Sequence, residues 1–221
     1  ILLHQYLQLE MHEKALDLAL RLTSHAPTIE KWWKALANIY LNAGRYEDAL
    51  SALITYGFLT PLSGEEKKLV ADLCLELGIP VKAVPIYEDY LKQHPDSKLL
   101  KRLVQAYRQL GMPEKALDRI ETFGKDQNDP DLLLLKAELH YALEHYGRAA
   151  EFYRKAAGKN NDRSGHAWLM AGYAAWQNND LSSGRDAFKH AASYENQRKS
   201  ARKALKQLES VIASRARGQT Q

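Results

Sequence analysis

Six small residues recur along the chain at near-constant intervals: Ala15, Ala49, Ala83, Ala116, Ala149 and Gly184, spaced 34, 34, 33, 33 and 35 apart. A period of about 34 residues is longer than one ordinary helix and fits a helix–turn–helix unit. Such a unit cannot bury its apolar face alone, so successive copies must stack on one another. The spacing therefore predicts an elongated all-helical array before any single side chain is weighed.

The same pattern surrounds each small residue. Upstream stands an aromatic or long residue, then Leu or Val, then a small residue, then often Tyr: Trp33, Leu36, Ala37 and Tyr40, or Leu100, Leu103, Val104 and Tyr107, with Trp168 and Gly172 opening the last copy. Gly44, Gly78 and Gly111 occupy equivalent turns, where glycine suits a left-handed helix stop. The second helix of each pair is expected to begin near Tyr46, Pro80, Pro113, Tyr146 or Leu181. The two prolines fall in its first turn, where the missing N–H is unpaired anyway. An apolar residue follows the small one by four: Leu53, Tyr87, Ile120, Tyr153 and Phe188. Three copies close on Pro27, Pro61 and Pro95.

These marks resemble the tetratricopeptide repeat over nearly the whole chain. Lys67 replaces the first aromatic of one copy, Cys74 and His140 replace Tyr, and Gly184 replaces Ala. The resemblance implies an all-α, right-handed superhelical solenoid of stacked helix-turn-helix hairpins. A partial first repeat leads into five full ones, at 30–63, 64–96, 97–129, 130–163 and 164–195, within an array spanning 1–195. Residues Ile1 to Tyr6 read as the tail of a cut repeat. Residues 196–214 read as a capping helix with an apolar stripe of Ala201, Leu205, Leu208 and Ile212, and 215–221 as a flexible tail.

Charge is distributed unevenly. From Asn196 onward stand Arg198, Lys199, Arg202, Lys203, Lys206, Arg215 and Arg217 against Glu209 alone, whereas the whole chain carries only +4. The remainder is therefore slightly acidic, and the basic character belongs to the last helix. A solvated outer face on a cap accounts for it. Phosphate or anionic lipid could also meet such a helix, but no aromatic is interleaved for base stacking. Nucleic acid is thus not an expected partner, and a membrane is expected only indirectly, through a complex. No apolar run approaches the roughly 18 residues of a bilayer span, which predicts a soluble segment.

Chemistry-bearing motifs are few. The sequence holds no Gly-rich phosphate loop, no His-Glu-x-x-His and no paired-cysteine metal signature. Cys74 falls at a packing position, which makes it a buried inert thiol. His140 and His145 are five apart, a poor spacing for two ligands on one helical face, with His140 expected in a repeat core and His145 in a turn. Glu65 and Glu66 follow Ser63 at a helix start, a capping-box pattern. No catalytic residue, metal, cofactor or small-molecule substrate is expected.

In tetratricopeptide proteins the first helices of successive repeats line a concave groove. By register the resemblance assigns to it Lys31, Lys34, Asn38 and Leu41, then Glu65, Lys68, Asp72 and Leu75, then Lys98, Lys101, Gln105 and Arg108. Asp131, Leu134, Glu138 and Tyr141 follow, and His166, Leu169, Tyr173 and Trp176 end it. The groove so drawn is basic in its first part and aromatic at its end. That suits a protein or peptide partner with acidic residues and an apolar anchor. Self-assembly through an open end of the stack is the competing use.

Two narrower resemblances follow. Co-chaperones of this family grip a C-terminal carboxylate at positions that read here Lys34, Asn38, Leu69, Lys98 and Arg102; Leu69 departs from the amide expected there. The stretch Gly165-His166-Ala167-Trp168-Leu169, with Ala187-Phe188, Ala191-Ala192, Arg198-Lys199, Ala201 and Leu205, is similar to bacterial periplasmic tetratricopeptide proteins encoded beside TonB, ExbB and ExbD energy-transduction genes. Lys31-Trp32-Trp33 through Tyr40, with Tyr46 and Ala49-Leu50, is similar to them too. That resemblance implies an accessory of an envelope complex and a periplasmic location, with the cytoplasm as the alternative.

Overall fold

A computed structural model describes residues 2–124, 128–159 and 161–218. Among these residues every regular element is an α-helix. In chain order they are α1 (Leu2–Gln8), α2 (His12–His25), α3 (Glu30–Asn42), α4 (Tyr46–Leu59), α5 (Gly64–Glu76), α6 (Pro80–Gln93), α7 (Ser97–Gln109), α8 (Pro113–Phe123), α9 (Pro130–Ala142), α10 (Tyr146–Ala157), α11 (Ser164–Gln177), α12 (Leu181–Ser193) and α13 (Arg198–Gly218). The chain forms two compact units, Ile1–Leu110 and Gly111–Gln221, divided in the turn after α7.

Turn chemistry explains the regular alternation. Left-handed backbone occurs at Gly44, Gly78 and Gly111, and also at Glu10, Glu144 and Asn179. These six residues repeat at the same intervals as the small residues, each five positions ahead of one. At five of the turns the next amide reaches back five residues to close the helix: Met11 to Tyr6, Arg45 to Tyr40, Ile79 to Cys74, His145 to His140 and Asp180 to Ala175, at 2.7–2.9 Å. This closure satisfies carbonyls the helix end would leave orphaned. A Cβ on Gly44 or Gly78 would meet nothing within 4 Å, so those glycines answer to the dihedral alone. Glu10 and Glu144 hold the same dihedral against a steric cost of about 1–2 kcal/mol, whereas Asn179 enters it more readily.

The small residues let paired helices approach. Ala15, Ala49, Ala83, Ala116 and Ala149 are wholly buried. In the first unit, Tyr87, Leu91, Leu99, Leu100, Leu103 and Val104 fill the space between helices, and Cys74 is buried with them as a free thiol. Burial pushes the Cys74 thiol up from its ordinary value, which keeps it protonated and unreactive. The second unit has two cores. One is rich in alanine and joins α9, α10 and α11 through Leu133, Ala137, Ala149, Tyr153, Ala171 and Ala174. The other joins α11, α12 and α13 through Leu169, Phe188, Ala191, Ala201, Ala204 and Leu208.

The last helix extends beyond its expected limit at residue 214. It continues to Gly218, which shortens the tail expected at 215–221, and only 219–221 lie outside the described residues. Arg215 contributes to the extension by donating from its guanidinium to Asn179 Oδ1 at 2.6 Å, holding the helix end on the preceding hairpin's turn.

Candidate partner-binding faces

In the first unit, ion pairs lay the first helices of three hairpins side by side. Lys34 of α3 meets Glu66 of α5 at 2.7 Å, and Arg102 of α7 meets Asp72 and Glu76 of α5, each at 3.4 Å. The Glu66 carboxyl also closes a capping box, accepting from the Ser63 amide at 2.8 Å. The Lys34 ammonium and then the Ser63 N–H hold that carboxyl at about 2, against an ordinary 4.5. Lys34 is raised in turn, by Glu66 first.

Behind this face, Tyr87 is fully buried and donates its hydroxyl to Asp72 Oδ1 at 2.6 Å. Its pKa rises, first from burial and then from the Asp72 hydrogen bond. Asp72 therefore ties α5 to α6 through Tyr87 and to α7 through Arg102. A buried hydroxyl with a charged acceptor is a strong bond, and this one orients the carboxylate that receives the arginine. The sequence shows Tyr87 only as a packing residue, because the partner lies on another helix 15 positions away.

The assigned groove residues of this unit separate into two groups. Lys34 and Arg102 are engaged by carboxylates, and Lys31 lies 4.6 Å over the ring of Trp32. Asn38, Lys98, Gln105 and Arg108 are exposed and Lys101 is half-buried. Leu75, at 1% exposure, belongs to the core and corrects its assignment to the groove. With Lys34 and Arg102 committed to Glu66, Asp72 and Glu76, and Leu69 half-buried between them in sequence, the carboxylate-clamp positions are not a set of free donors.

In the second unit the aromatic residues serve packing more than display. Tyr173 and Trp176 lie edge-on to Phe188, with ring centroids at 5.1 and 6.4 Å. Both pack with the core that Ala201, Ala204 and Leu208 of α13 complete, beside half-buried Leu205 and Ile212. Both rings are thus half-buried in packing contacts. Leu134 and Leu169 are likewise buried, at 5% and 8%, and correct the same register argument. Tyr141 packs edge-on against Tyr146 at 5.2 Å and remains half-buried. Its hydroxyl pKa rises through burial first, then through Tyr146 and Tyr173.

One buried polar group stands out. His140 is 7% exposed, its ring stacks on Phe152 at 5.4 Å, and its Nδ1 has no hydrogen-bond partner among the described residues. Burial lowers its pKa below the ordinary 6.5, reinforced by Arg148 and His145 and opposed by Glu121. A base whose folded pKa is depressed is neutral in the fold and protonates more readily when unfolded. Its stabilising contribution is therefore complete above about pH 6.5 and declines as pH falls below that value. The protection of amides in α9 and α10, taken relative to intrinsic exchange at each pH, should fall on acidification from neutral pH to below 6, and H140F should remove that component. An equal response in H140F would refute the assignment.

Stacked helical hairpins with polar outer faces and no strand among the described residues define a helical-repeat interaction scaffold. The family model for the tetratricopeptide repeat matches residues 34–98, 101–163 and 134–201, and the chain belongs to that family. Such repeats are typically non-catalytic. No curated protein sequence matches the chain. Among solved structures it is similar to one of Naa15/Naa10 bound to HypK-THB, with a TM-score of 0.71 and 17% identity over 92% of this chain and 32% of that one. It is also similar to MamA, with a TM-score of 0.65 and 14% identity over 77% and 94% of the two chains. YrrB, described as a tetratricopeptide protein with an unusual peptide-binding site, gives a TM-score of 0.60 and 16% identity over 78% and 87%. The chain spans about a third of the length of the first of these. At such identities the likeness shows the fold alone.

Proposed function

We propose that this protein-interaction scaffold takes an acidic segment of its partner on the α3–α5–α7 face. The observation that carries the reading is the alignment of three first helices by the Lys34–Glu66 and Arg102–Asp72 pairs. That alignment gathers Lys31, Lys34, Lys68, Lys98, Lys101, Arg102 and Arg108 against Glu30, Glu65, Glu66, Asp72 and Glu76. The internal pairs tie the three helices together, and exposed Lys31 and Lys98 supply charge-assisted bonds to carboxylates. Tyr173 and Trp176 rest on Phe188 and are half-buried, which leaves less of each ring to anchor a partner.

The envelope setting belongs to the same proposal: an accessory of a TonB-type complex, in the periplasm. It is supported by the resemblance of 165–205 and of 31–50 alone, and cell fractionation of the full-length protein tests it. For the face itself, K31E/K98E should weaken capture of the co-purifying partner more than tenfold, while Y173A should act only through stability. Undiminished capture by K31E/K98E removes the α3–α5–α7 face from the account. A partner peptide that binds only with a free C-terminal carboxylate would favour the clamp instead.

A further inference from the structure

The outer face of α13 is the one run of the described chain where clustered cations all lack partners. Elsewhere the exposed cations commonly meet carboxylates, as Arg21 does with Asp17, Arg45 with Asp48, Lys155 with Glu151 and Arg163 with Asp131. Arg198, Lys199, Arg202, Lys203 and Lys206 are all exposed, and none forms an ion pair among the described residues. At 3.6 residues per turn the five fall within an arc of about 140° and along about 12 Å of helix axis. That arc is opposite the side on which Ala201, Ala204 and Leu208 are buried against the preceding hairpin. Glu209, the helix's single carboxylate, stands one turn beyond Lys206 and pairs with none of them.

Like charges so close repel one another, and the packing of the buried side prevents the helix from rotating them apart. The face also lacks what other polyanion partners require. It carries no aromatic or Met that could anchor a protein hot spot, and no aromatic on which bases could stack. A planar anionic surface requires neither, since it is attracted by charge density alone. Among the described residues no helix is long and apolar enough to cross a membrane, and the apolar side of α13 is already occupied. Contact would therefore be peripheral and electrostatic.

We infer that the Arg198–Lys206 face of α13 docks the protein directly on anionic lipid headgroups. This departs from the expectation that a membrane is reached only through a complex.

The test is co-sedimentation of the chain with phosphatidylcholine vesicles, with and without phosphatidylglycerol, at low and physiological salt. Binding should require phosphatidylglycerol and weaken as salt rises. Each cation near such a surface is worth about a fivefold gain in affinity, so R202Q/K203Q should bind about 25-fold more weakly. K82Q/K115Q, with the same net charge change on other exposed positions, should bind within about twofold of the parent if the α13 face alone makes the contact. Both variants should melt as the parent does, because the exchanged side chains are exposed. Binding without phosphatidylglycerol, or equal losses in the two double variants, overturns the inference. So does duplex DNA that strips the protein from vesicles at physiological salt, which would assign the face to phosphates of nucleic acid.

Discussion

Replacing Phe188 with alanine is expected to destabilise the second unit by about 3–5 kcal/mol, the usual cost of emptying a buried aromatic site. Phe188 has no exposed surface and sits at the centre of the core shared by α11, α12 and α13. Tyr173 and Trp176 both rest edge-on against it, so truncation removes two ring contacts together with the buried area. Those neighbours are long and constrained by the cap, which limits how far the cavity can collapse. The expected signature is local: amide exchange should quicken across α11–α13, with the first unit unaffected. Repeat arrays need not unfold in one step, so residue-level exchange is a better measure than a single melting temperature. Uniform loss of protection throughout the chain would contradict this placement of the core.

Gly172→Ala is expected to be the second most damaging change, at about 1–3 kcal/mol from overpacking. A Cβ there would come within 2.4 Å of Phe188 Cε1 and 2.5 Å of its Cδ1. The ring is fully buried and cannot swing aside. Helix propensity favours alanine by about 1 kcal/mol, which offsets only part of the clash. Gly184→Ala is the natural control. Its Cβ would meet the Gly172 carbonyl oxygen at 3.3 Å and Leu208 Cδ2 at 3.5 Å, a contact that a shift of a few tenths of an ångström relieves. The same substitution should therefore be close to neutral at 184 and harmful at 172. Chemical denaturation of both variants, followed by near-ultraviolet signals from Trp168 and Trp176, makes the comparison; equal stabilities would show that the α11–α12 contact is slack.

Particular residues show how far the sequence could be read. Tyr46, Pro80, Pro113, Tyr146 and Leu181 do begin α4, α6, α8, α10 and α12, because proline and turn signals act over a few residues. The left-handed turns were visible at Gly44, Gly78 and Gly111 and hidden at Glu10, Glu144 and Asn179. Glutamate disfavours that dihedral at 10 and 144, whereas asparagine at 179 enters it more readily. Of the residues assigned to the groove, Asn38, Lys98 and Gln105 are exposed, whereas Leu75, Leu134 and Leu169 are buried. Those leucines share the groove register, but Leu134 and Leu169 join the cores between helices instead.

The 33–35 residue spacing by itself determined the all-helical hairpin repeat, the burial of its small residues and the inert setting of Cys74, since periodic steric demand is written along the chain. Only the tertiary structure decided that Glu66 takes Lys34, that Asp72 joins Tyr87 to Arg102, and that Tyr173 and Trp176 pack on the core α13 completes while the cations of α13 stay unpaired. Charge pairing and aromatic burial depend on distances between residues 15 to 40 positions apart, and those distances exist only once the hairpins have stacked.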